Sequence, residues 1–502
     1  MARMKTSGYM AIAEKGNKLT GNMGAFGLAL SVLAFSAPLT TVSGYVPVAL
    51  MYGGAASPTI FIATMVLLML FSLGYLTLNH AAKRPGDFYA FITHGLGRSA
   101  GLGAGMLATI TYFIILAGVP AYFGVASADL QRTLTGWAFP WYYFTLACWL
   151  AIAIFGYLHI EVSAKFLTWV MVAEVIVCIA FCTGVIGSNP PSDLPPNAIF
   201  SPSGLLNANS PFAMLFAVSF FMGFEATALF RDEVRDPDRT IPRATYGAVI
   251  FIGLLYTFCA YALIRVYGHD VISVATQSPA TMFQNAFDKF VSARMRTPVA
   301  ILVLTSAFAS SLSIHNVLTR YLHNLGIDGA FPQYLSAIHP KHLSPHRSSV
   351  TVSTLTLLVL LPFIVTGAQP ELLYGRLSGV GTAGGLILMT VVNVSCLVWY
   401  FREGRFIGAG VFKACVAPGI SAVLFVALVV LVGKHFELLV GGEPGQSTWM
   451  LYSLCAVQIF GMALAVYFRK AKPEVFRRLG RNRDVEPRDG GTDDEAVLAV
   501  TQ

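Results

Sequence analysis

Long apolar stretches recur along the whole sequence and constrain the fold more than any other feature. A helix that crosses the hydrocarbon core of a bilayer needs about 20 predominantly apolar residues. Backbone groups in lipid must be paired within the spanning element, so such stretches predict helices, whereas a β-barrel would show alternating segments of about 10 residues. The sequence predicts twelve membrane-spanning helices, near residues 25–50, 57–79, 103–127, 138–157, 163–187, 211–231, 243–267, 297–321, 349–368, 377–401, 412–434 and 449–468.

Composition supports a membrane protein over a soluble one. Hydrophobic residues make up 55% of the 502 residues and charged residues only 12%. That charged fraction is about half of the roughly 25% typical of globular proteins, and it cannot cover the surface of a soluble core. The predicted fold class is therefore an all-α integral membrane protein.

The basic residues follow the pattern expected of cytoplasmic loops. If the N-terminus lies inside, the interior segments hold 26 of the 33 Lys and Arg residues and the exterior segments hold 7. This bias predicts that both termini are cytoplasmic. The net charge of +8 does not indicate a nucleic-acid partner, because the basic residues lie in short loops and form no patch interleaved with aromatic residues. The expected surroundings are the lipid bilayer of the plasma membrane.

Several kinds of chemistry lack a sequence signature. The seven cysteines lie in or beside apolar stretches, with neither a disulfide framework nor metal-ligand spacing, so no metal or cofactor is expected. The segment 95–100 fits a dinucleotide-binding pattern, but no strand precedes it. There is no phosphate-binding loop and no nucleophile elbow, which argues against ATP-driven transport within this chain and against an enzyme.

Two predicted spans contain features that interrupt a helix. The first has Pro38 and Gly44 around the hydroxyls of Thr40, Thr41 and Ser43. The sixth has Gly223 between bulky aromatic residues, with Glu225 two positions later. Each interruption has a structural alternative: a proline kink patched by hydroxyls in the first, and a packing notch with a capped glutamate in the sixth. The two spans are five apart, as an inverted five-plus-five repeat requires, and this spacing favours a binding site between broken helices.

Two further segments carry open alternatives. Glu174 lies in the fifth span, where a carboxyl group that gains and loses a proton is a natural coupling device, and the alternative is a permanently hydrogen-bonded structural acid. The serines of the eighth span, including Ser306 and Ser310, are interpreted mainly as helix-packing residues. The stretch 279–296 has apolar residues at helical spacing and predicts either a lid over a cavity or a helix in the headgroup region.

Two motifs resemble a known transporter family. Gly223-Phe224-Glu225, followed by the run 231–244 (Arg-Asp-Glu-Val-Arg-Asp-Pro-Asp-Arg-Thr-Ile-Pro-Arg-Ala), is similar to the hallmark that joins helices six and seven in amino acid–polyamine–organocation permeases. The stretch 311–322 and the following Gly326-Ile327-Asp328-Gly329 resemble the eighth helix of that family and the loop after it. The hydropathy of residues 20–470 fits the twelve-helix layout of the family.

The resemblance implies an inverted repeat of two five-helix units with discontinuous helices one and six, followed by two extra helices. The implied domains are a cytoplasmic N-terminus (1–24), a permease domain (25–470, with repeats at 25–187 and 211–401 and extra helices at 412–468) and a disordered cytoplasmic tail (471–502). Family helix-one amides bind a substrate carboxylate, and family helix-six carbonyls bind its ammonium group, with Phe221 as an aromatic gate. The implied substrate-binding residues are Thr40, Thr41, Val42, Ser43, Gly44, Phe220, Phe221, Met222 and Gly223.

The sequence departs from the family at two positions. The Gly-Ser-Gly usual at the helix-one break is replaced by Thr-Thr-Val-Ser-Gly (40–44), which weakens the case for a carboxylate site. Many proton-coupled relatives have a lysine in helix five where this chain has Glu174.

The predicted function is import of a small-molecule substrate, preferably a neutral amino acid, with the proton as coupling ion and Glu174 and Glu225 as candidate proton carriers. The alternatives are an exchanger, a carrier of an amine without a carboxylate, and a non-transporting sensor. The sequence predicts no oligomeric state.

Overall fold

The computed structural model describes residues 23–82, 88–158, 160–190, 194–195, 199–340, 344–367, 370–440, 443, 445 and 447–480. Over these ranges the regular elements are helices, together with one isolated parallel bridge between Met23 and Val234. The predicted N-terminal segment, apart from residues 23 and 24, lies outside the described residues.

The α-helices are numbered here in chain order over the described residues. They are α1 (Ala25–Ser36), α2 (Pro38–Thr40), α3 (Val46–Gly53), α4 (Ser57–Ala82), α5 (Phe88–Leu96), α6 (Arg98–Thr135), α7 (Trp141–Leu158), α8 (Ile160–Ser188), α9 (Ser210–Phe221), α10 (Pro237–Tyr267), α11 (Val271–Gln277), α12 (Pro279–Phe287), α13 (Arg296–Ile327), α14 (His346–Val365), α15 (Pro370–Trp399), α16 (Ala417–Lys434), α17 (Phe436–Val440), α18 (Thr448–Ala471) and α19 (Pro473–Arg478).

Eleven helical stretches in the described residues are long and apolar enough to cross a membrane. The first of them, Ala25–Ala82, has 58 residues and contains both the first and the second predicted spans. It is divided at Ala37 and again at Gly54, where the backbone has positive φ. The other ten each coincide with one predicted span, so the all-helical membrane fold is confirmed, and the count of twelve and the inverted repeat stay predictions.

The distribution of side chains is that of a protein surrounded by lipid. Large apolar side chains point outward on the late helices, where Val423 is 69% exposed and Ile459 is 65% exposed. Hydroxyls and three carboxyl groups, those of Glu174, Glu225 and Asp328, are buried in the interior instead. This pattern follows because lipid imposes no cost on exposed apolar surface, while buried polar groups are held by hydrogen bonds.

The central helix α6 packs against α13, α15 and α18. Glycines of α15 permit close contact with it, because a Cβ at Gly381 would lie 2.3 Å from Ile115 and one at Gly384 would lie 2.3 Å from Thr111. These glycines form a close-packing surface between α15 and α6.

The first interruption falls between α1 and α2. Ala37 ends α1 with φ 46° and ψ 75°, a left-handed conformation that is uncommon for a residue other than glycine. Pro38 then begins α2, a position where the missing N–H of proline costs no helical hydrogen bond. The chain continues as a π-helix over Thr41–Tyr45 before α3, so the helical path turns at Ala37 and then resumes.

The second interruption falls after α9. Met222 has an extended ψ of 133° and Gly223 has φ 105°, after which residues Phe224–Glu233 form a 3-10 helix. A residue with a side chain rarely adopts this φ, so glycine permits the turn. Both interruptions predicted from the sequence are therefore present as backbone discontinuities.

The stretch 279–296 forms α12 and a π-helix over Asp288–Ser292. The apolar face of α12 is buried within the protein: Met282, Phe283 and Phe287 are at most 2% exposed, and α12 packs against the π-helix of the first segment. Helix α12 thus lies beside the first interruption. Its role as a lid stays a prediction.

The segment predicted as a disordered tail begins with an ordered part. Helix α19 occupies Pro473–Arg478, and the amide of Gly480 donates to the hydroxyl of Tyr89 (2.7 Å) and to Oδ2 of Asp328 (2.8 Å). These contacts fix residues 473–480 against the ends of α5 and α13. Residues 481–502 of the predicted tail lie outside the described residues.

Candidate functional site

The two interruptions lie directly against each other. The hydroxyl of Ser36 donates to the carbonyl oxygen of Phe220 at 2.7 Å. The ring of Phe35 covers Gly223 so closely that a Cβ there would lie 2.3 Å from it. The last residues of α1 and α9, 184 positions apart in sequence, thus form one junction at the centre of the protein.

A small cavity of about 30 Å³ adjoins this junction. Its lining comes from the first interrupted segment (α1, α2 and the π-helix Thr41–Tyr45), from α6, from the end of α9, and from α13 and α15. The lining residues are Phe35, Ser36, Ala37, Thr40, Thr41, Tyr45, Ile115, Val119, Ser219, Met222, Ser310, Ile314, Tyr374, Ser378 and Thr382. Hydroxyl, aromatic and aliphatic side chains therefore surround the space, which is a composition suited to a small organic solute.

The predicted helix-one residues are all buried, and they divide into two groups. Thr40 and Thr41 line the cavity. Val42, Ser43 and Gly44 are outside the lining: the hydroxyl of Ser43 donates to the carbonyl of Leu39 and contacts the hydroxyl of Tyr122, and Gly44 packs against Tyr122 and Tyr374. The structure brings the five residues onto one continuous helical segment beside the cavity.

The amides at the start of this segment already have partners. The amide of Leu39 donates to Oε2 of Glu174 at 3.1 Å, and the amide of Thr40 donates to the hydroxyl of Ser306 at 3.2 Å. The amide of Thr41 donates to the carbonyl of Ala37. Free amides at a helix N-terminus attract anions, and here a side-chain carboxyl group and a hydroxyl occupy that place.

Glu174 is completely buried in α8 and is tied to both α2 and α13. Its Oε2 accepts hydrogen bonds from the amide of Leu39 and from the hydroxyl of Ser306, the latter at 2.6 Å. Its Oε1 is buried and has no hydrogen-bond partner in the described part of the chain. The carboxyl group therefore caps the resumed helix and retains one unused acceptor oxygen.

The predicted helix-six residues surround the second interruption. Met222 lines the cavity, whereas Phe220, Phe221 and Gly223 lie just outside its lining. Phe220 packs edge-on against Phe61 and Tyr256, with ring centroids 5.0 and 5.3 Å apart. Phe221 is 1% exposed, so the residue proposed as a gate is buried in this conformation.

Glu225 holds the unwound part of segment six in place. Its Oε2 accepts from the amide of Gly223 at 3.0 Å, its Oε1 accepts from the hydroxyl of Tyr112, and its carbonyl accepts from the hydroxyl of Tyr75. The interrupted helix leaves amides without a helical acceptor, and this side chain supplies one. Glu225 thus has a structural role in the described conformation, whether or not it also carries a proton.

Several cavity residues were missed by the sequence analysis. The rings of Tyr45 and Tyr374 have centroids 4.8 Å apart, and the hydroxyl of Tyr45 contacts that of Ser378 at 2.6 Å. The hydroxyl of Tyr256 contacts that of Ser36 at 2.6 Å. Aromatic residues are common in spans and carry no local signal of cavity lining, so only their convergence from distant segments reveals them.

A bundle of membrane helices with two apposed interruptions beside a central cavity is the arrangement found in many secondary transporters. The amino acid permease family model matches residues 25–464. The chain belongs to this family, within the amino acid–polyamine–organocation superfamily.

Curated relatives include permeases for amino acids and for an amine. A low-affinity putrescine importer, PlaP of Escherichia coli, is 26% identical over 191 residues, which are 37% of this chain and 38% of that importer. The L-asparagine permease of Escherichia coli is 24% identical over 79% of this chain and 77% of its own length. A probable GABA permease of Pseudomonas aeruginosa is 24% identical over 68% of this chain and 72% of that permease.

Among solved structures, a manganese transporter of Eremococcus coleocola has the same fold. It aligns with a TM-score of 0.58 and 11% sequence identity, covering 92% of this chain and 99% of that transporter. The family assignment and the eleven apolar helices in the described residues identify the chain as a multi-pass membrane protein of the amino acid permease family.

Proposed function

We propose that this chain is a secondary transporter that imports a small amino-bearing solute by alternating access, coupled to protons. The observation that carries the proposal is the cavity between the two interruptions, which receives residues from five separate segments. Interrupted helices can change their packing on either side of a fixed site, and this change opens the site to one side of the membrane at a time.

Glu174 is the candidate for proton coupling that the geometry favours. It touches α2 and α13 at once, so a change in its protonation alters a contact between the first segment and α13. Glu225 is the second candidate, and its hydrogen bonds to Tyr112 and Gly223 connect α6 with the second interruption.

Two substrate classes follow from the sequence prediction and from the structure. The neutral amino acid predicted from the sequence fits the uncharged lining of the cavity. The second candidate, an amine without a carboxylate, is favoured by the occupied amides of Leu39 and Thr40. The names of the relatives include both classes.

Uptake into proteoliposomes tests the proposal. Purified protein would be screened with labelled amino acids and amines, with and without an inward proton gradient. We expect one compound to accumulate only under the gradient, and no accumulation in liposomes without protein. Flux only when substrate is preloaded inside would instead establish an exchanger, and absence of flux for the whole panel by folded protein would contradict the proposed transport function.

A further inference from the structure

We infer that the substrate of this site is an amine that lacks a carboxylate, because Glu174 already occupies the place where a substrate carboxylate would bind. The inference rests on the proposed transport function and narrows its substrate class. Three independent features of the described residues carry it.

The first feature is the capped helix start. A substrate carboxylate would need the amides of Leu39 and Thr40, which donate to Oε2 of Glu174 (3.1 Å) and to the hydroxyl of Ser306 (3.2 Å). To reach them, the substrate would displace two buried hydrogen bonds and bring a second carboxyl group beside that of Glu174. The displacement opposes binding, because buried polar groups left without partners are costly.

The second feature is the chemistry of the cavity wall. Every lining residue in the described part of the chain is aliphatic, aromatic or hydroxyl-bearing, so the wall contains no cationic side chain for a carboxylate. The wall is instead rich in acceptor oxygens. The hydroxyls of Thr41 and Ser310 donate their hydrogens to main-chain carbonyls, so their oxygens can accept from an ammonium group.

Aromatic rings add to this preference for a cation. Tyr45 and Tyr374 line the cavity with ring centroids 4.8 Å apart, and Phe35 also lines it. The faces of such rings attract an ammonium group by cation–π interaction.

The third feature is the position of the buried carboxyl groups. Glu174 lies behind α2, and Glu225 lies behind the ring of Tyr112, which packs edge-on against Phe35 at 5.9 Å. Neither forms an ion pair with Lys or Arg among the described residues, and their oxygens accept hydrogen bonds. These oxygens accept hydrogen bonds and so provide no donor for a substrate carboxylate.

Matched pairs that differ only in the carboxylate test the inference. Binding to purified protein in nanodiscs would be measured by calorimetry for putrescine and ornithine, cadaverine and lysine, and isobutylamine and valine. Valinamide, which replaces the carboxylate of valine by a neutral carboxamide of similar shape, would be measured alongside them. We expect the amine to bind at least tenfold more tightly than its amino acid in the pair that binds best. Equal or tighter binding of the amino acid would overturn the inference and leave the transport function intact.

Variants at Glu174 test the cause of the preference. Glu174→Ala frees the amide of Leu39, so the ratio of amine to amino acid affinity should fall at least tenfold. Glu174→Gln retains an acceptor for this amide, so its ratio of amine to amino acid affinity should fall less than that of Glu174→Ala. The exposed Glu474→Ala serves as the control for loss of a carboxylate and should leave the ratio unchanged. An unchanged ratio in Glu174→Ala would contradict the capping explanation.

If Glu174→Ala does not fold, the wild-type comparison of valinamide with valine decides the inference, because these compounds have the same shape and differ in charge. Tighter binding of valine would overturn it. If no compound of any pair binds or is transported, the proposed function itself fails.

Discussion

Single residues set the chemistry of the junction between the two interruptions. Glu174 connects α8 to the first interrupted segment by accepting from the amide of Leu39. Glu225 accepts from the amide of Gly223 in its own segment and from the hydroxyl of Tyr112 on α6. Gly223 permits both the turn in segment six and its close contact with Phe35. Substitutions at these positions are therefore expected to change transport in specific ways.

Replacement of Glu174 by glutamine should weaken accumulation against a gradient more than exchange. The substitution retains an acceptor for the Leu39 amide and removes the titratable group, so binding persists while coupling is lost. Accumulation and counterflow would be compared in the same proteoliposomes, with the exposed Glu403→Gln as control. Equal loss of both activities, or no loss, would contradict a proton role for Glu174.

Replacement of Gly223 by leucine should abolish uptake while the protein still reaches the membrane. A Cβ at this position would lie 2.3–2.7 Å from side-chain atoms of Phe35, and φ 105° is strained for any residue with a side chain. The matched control is Gly247→Leu on the exposed side of α10, where no atom lies within 4 Å of a Cβ. Normal uptake by Gly223→Leu would remove segment six from the site.

At the scale of elements, the first segment changes direction within a single residue. Ala37 ends α1 in a left-handed conformation, and Pro38 starts the next helical turn without requiring an acceptor for its missing N–H. Thr41 strengthens the junction, since its hydroxyl donates to the carbonyl of Ser36 at 2.6 Å. A strained alanine at this place indicates that its backbone conformation is imposed by the surrounding packing.

Replacement of Ala37 by glycine should therefore stabilise the protein or leave its stability unchanged. Glycine adopts positive φ without the cost of about 1–2 kcal/mol that an L-residue incurs, and this gain offsets its greater freedom in the unfolded chain. The matched control is Ala34→Gly in the regular part of α1, where Ala34 is fully buried and about 1 kcal/mol should be lost. Thermal unfolding in detergent, followed by tryptophan fluorescence, measures both, and a larger loss for Ala37→Gly than for Ala34→Gly would contradict the strain argument.

At the scale of the whole molecule, the last ordered residues connect segments that are far apart in sequence. Asp328, at the end of α13, is 2% exposed and accepts hydrogen bonds from the hydroxyl of Tyr89 and from the amide of Gly480. Arg98 at the start of α6 lies over the ring of Phe476 at 5.6 Å. The segment 473–480 is thereby held against α5, α6 and α13.

Replacement of Asp328 by alanine should release this segment. The change leaves buried donors without an acceptor, at a cost of about 1–3 kcal/mol. An isolated helix of six residues, such as α19, is not stable enough to offset this loss. Limited trypsin digestion should then cleave faster after Arg477 and Arg478, with the exposed ion-pair variant Asp236→Ala as control. An unchanged cleavage rate would show that other contacts hold α19.

The sequence by itself determined the environment and the architecture of this protein. Apolar stretches of spanning length require helices in lipid. Pro38 marks the first interruption and Gly223 marks the second, because each residue acts directly on the local backbone. The hallmark motif also identified the family, since its residues are contiguous.

The tertiary structure alone decided what surrounds the substrate space. Glu174 is hydrogen-bonded to Leu39, 135 positions away in sequence, and Tyr45 is hydrogen-bonded to Ser378, 333 positions away. No local sequence pattern encodes contacts at such separations. The sequence marked the amides of helix one as a place for an anion. Only the packing of α8 against α2 shows that the chain's own carboxyl group is already bound there, because the direction in which a buried side chain points depends on how distant helices pack.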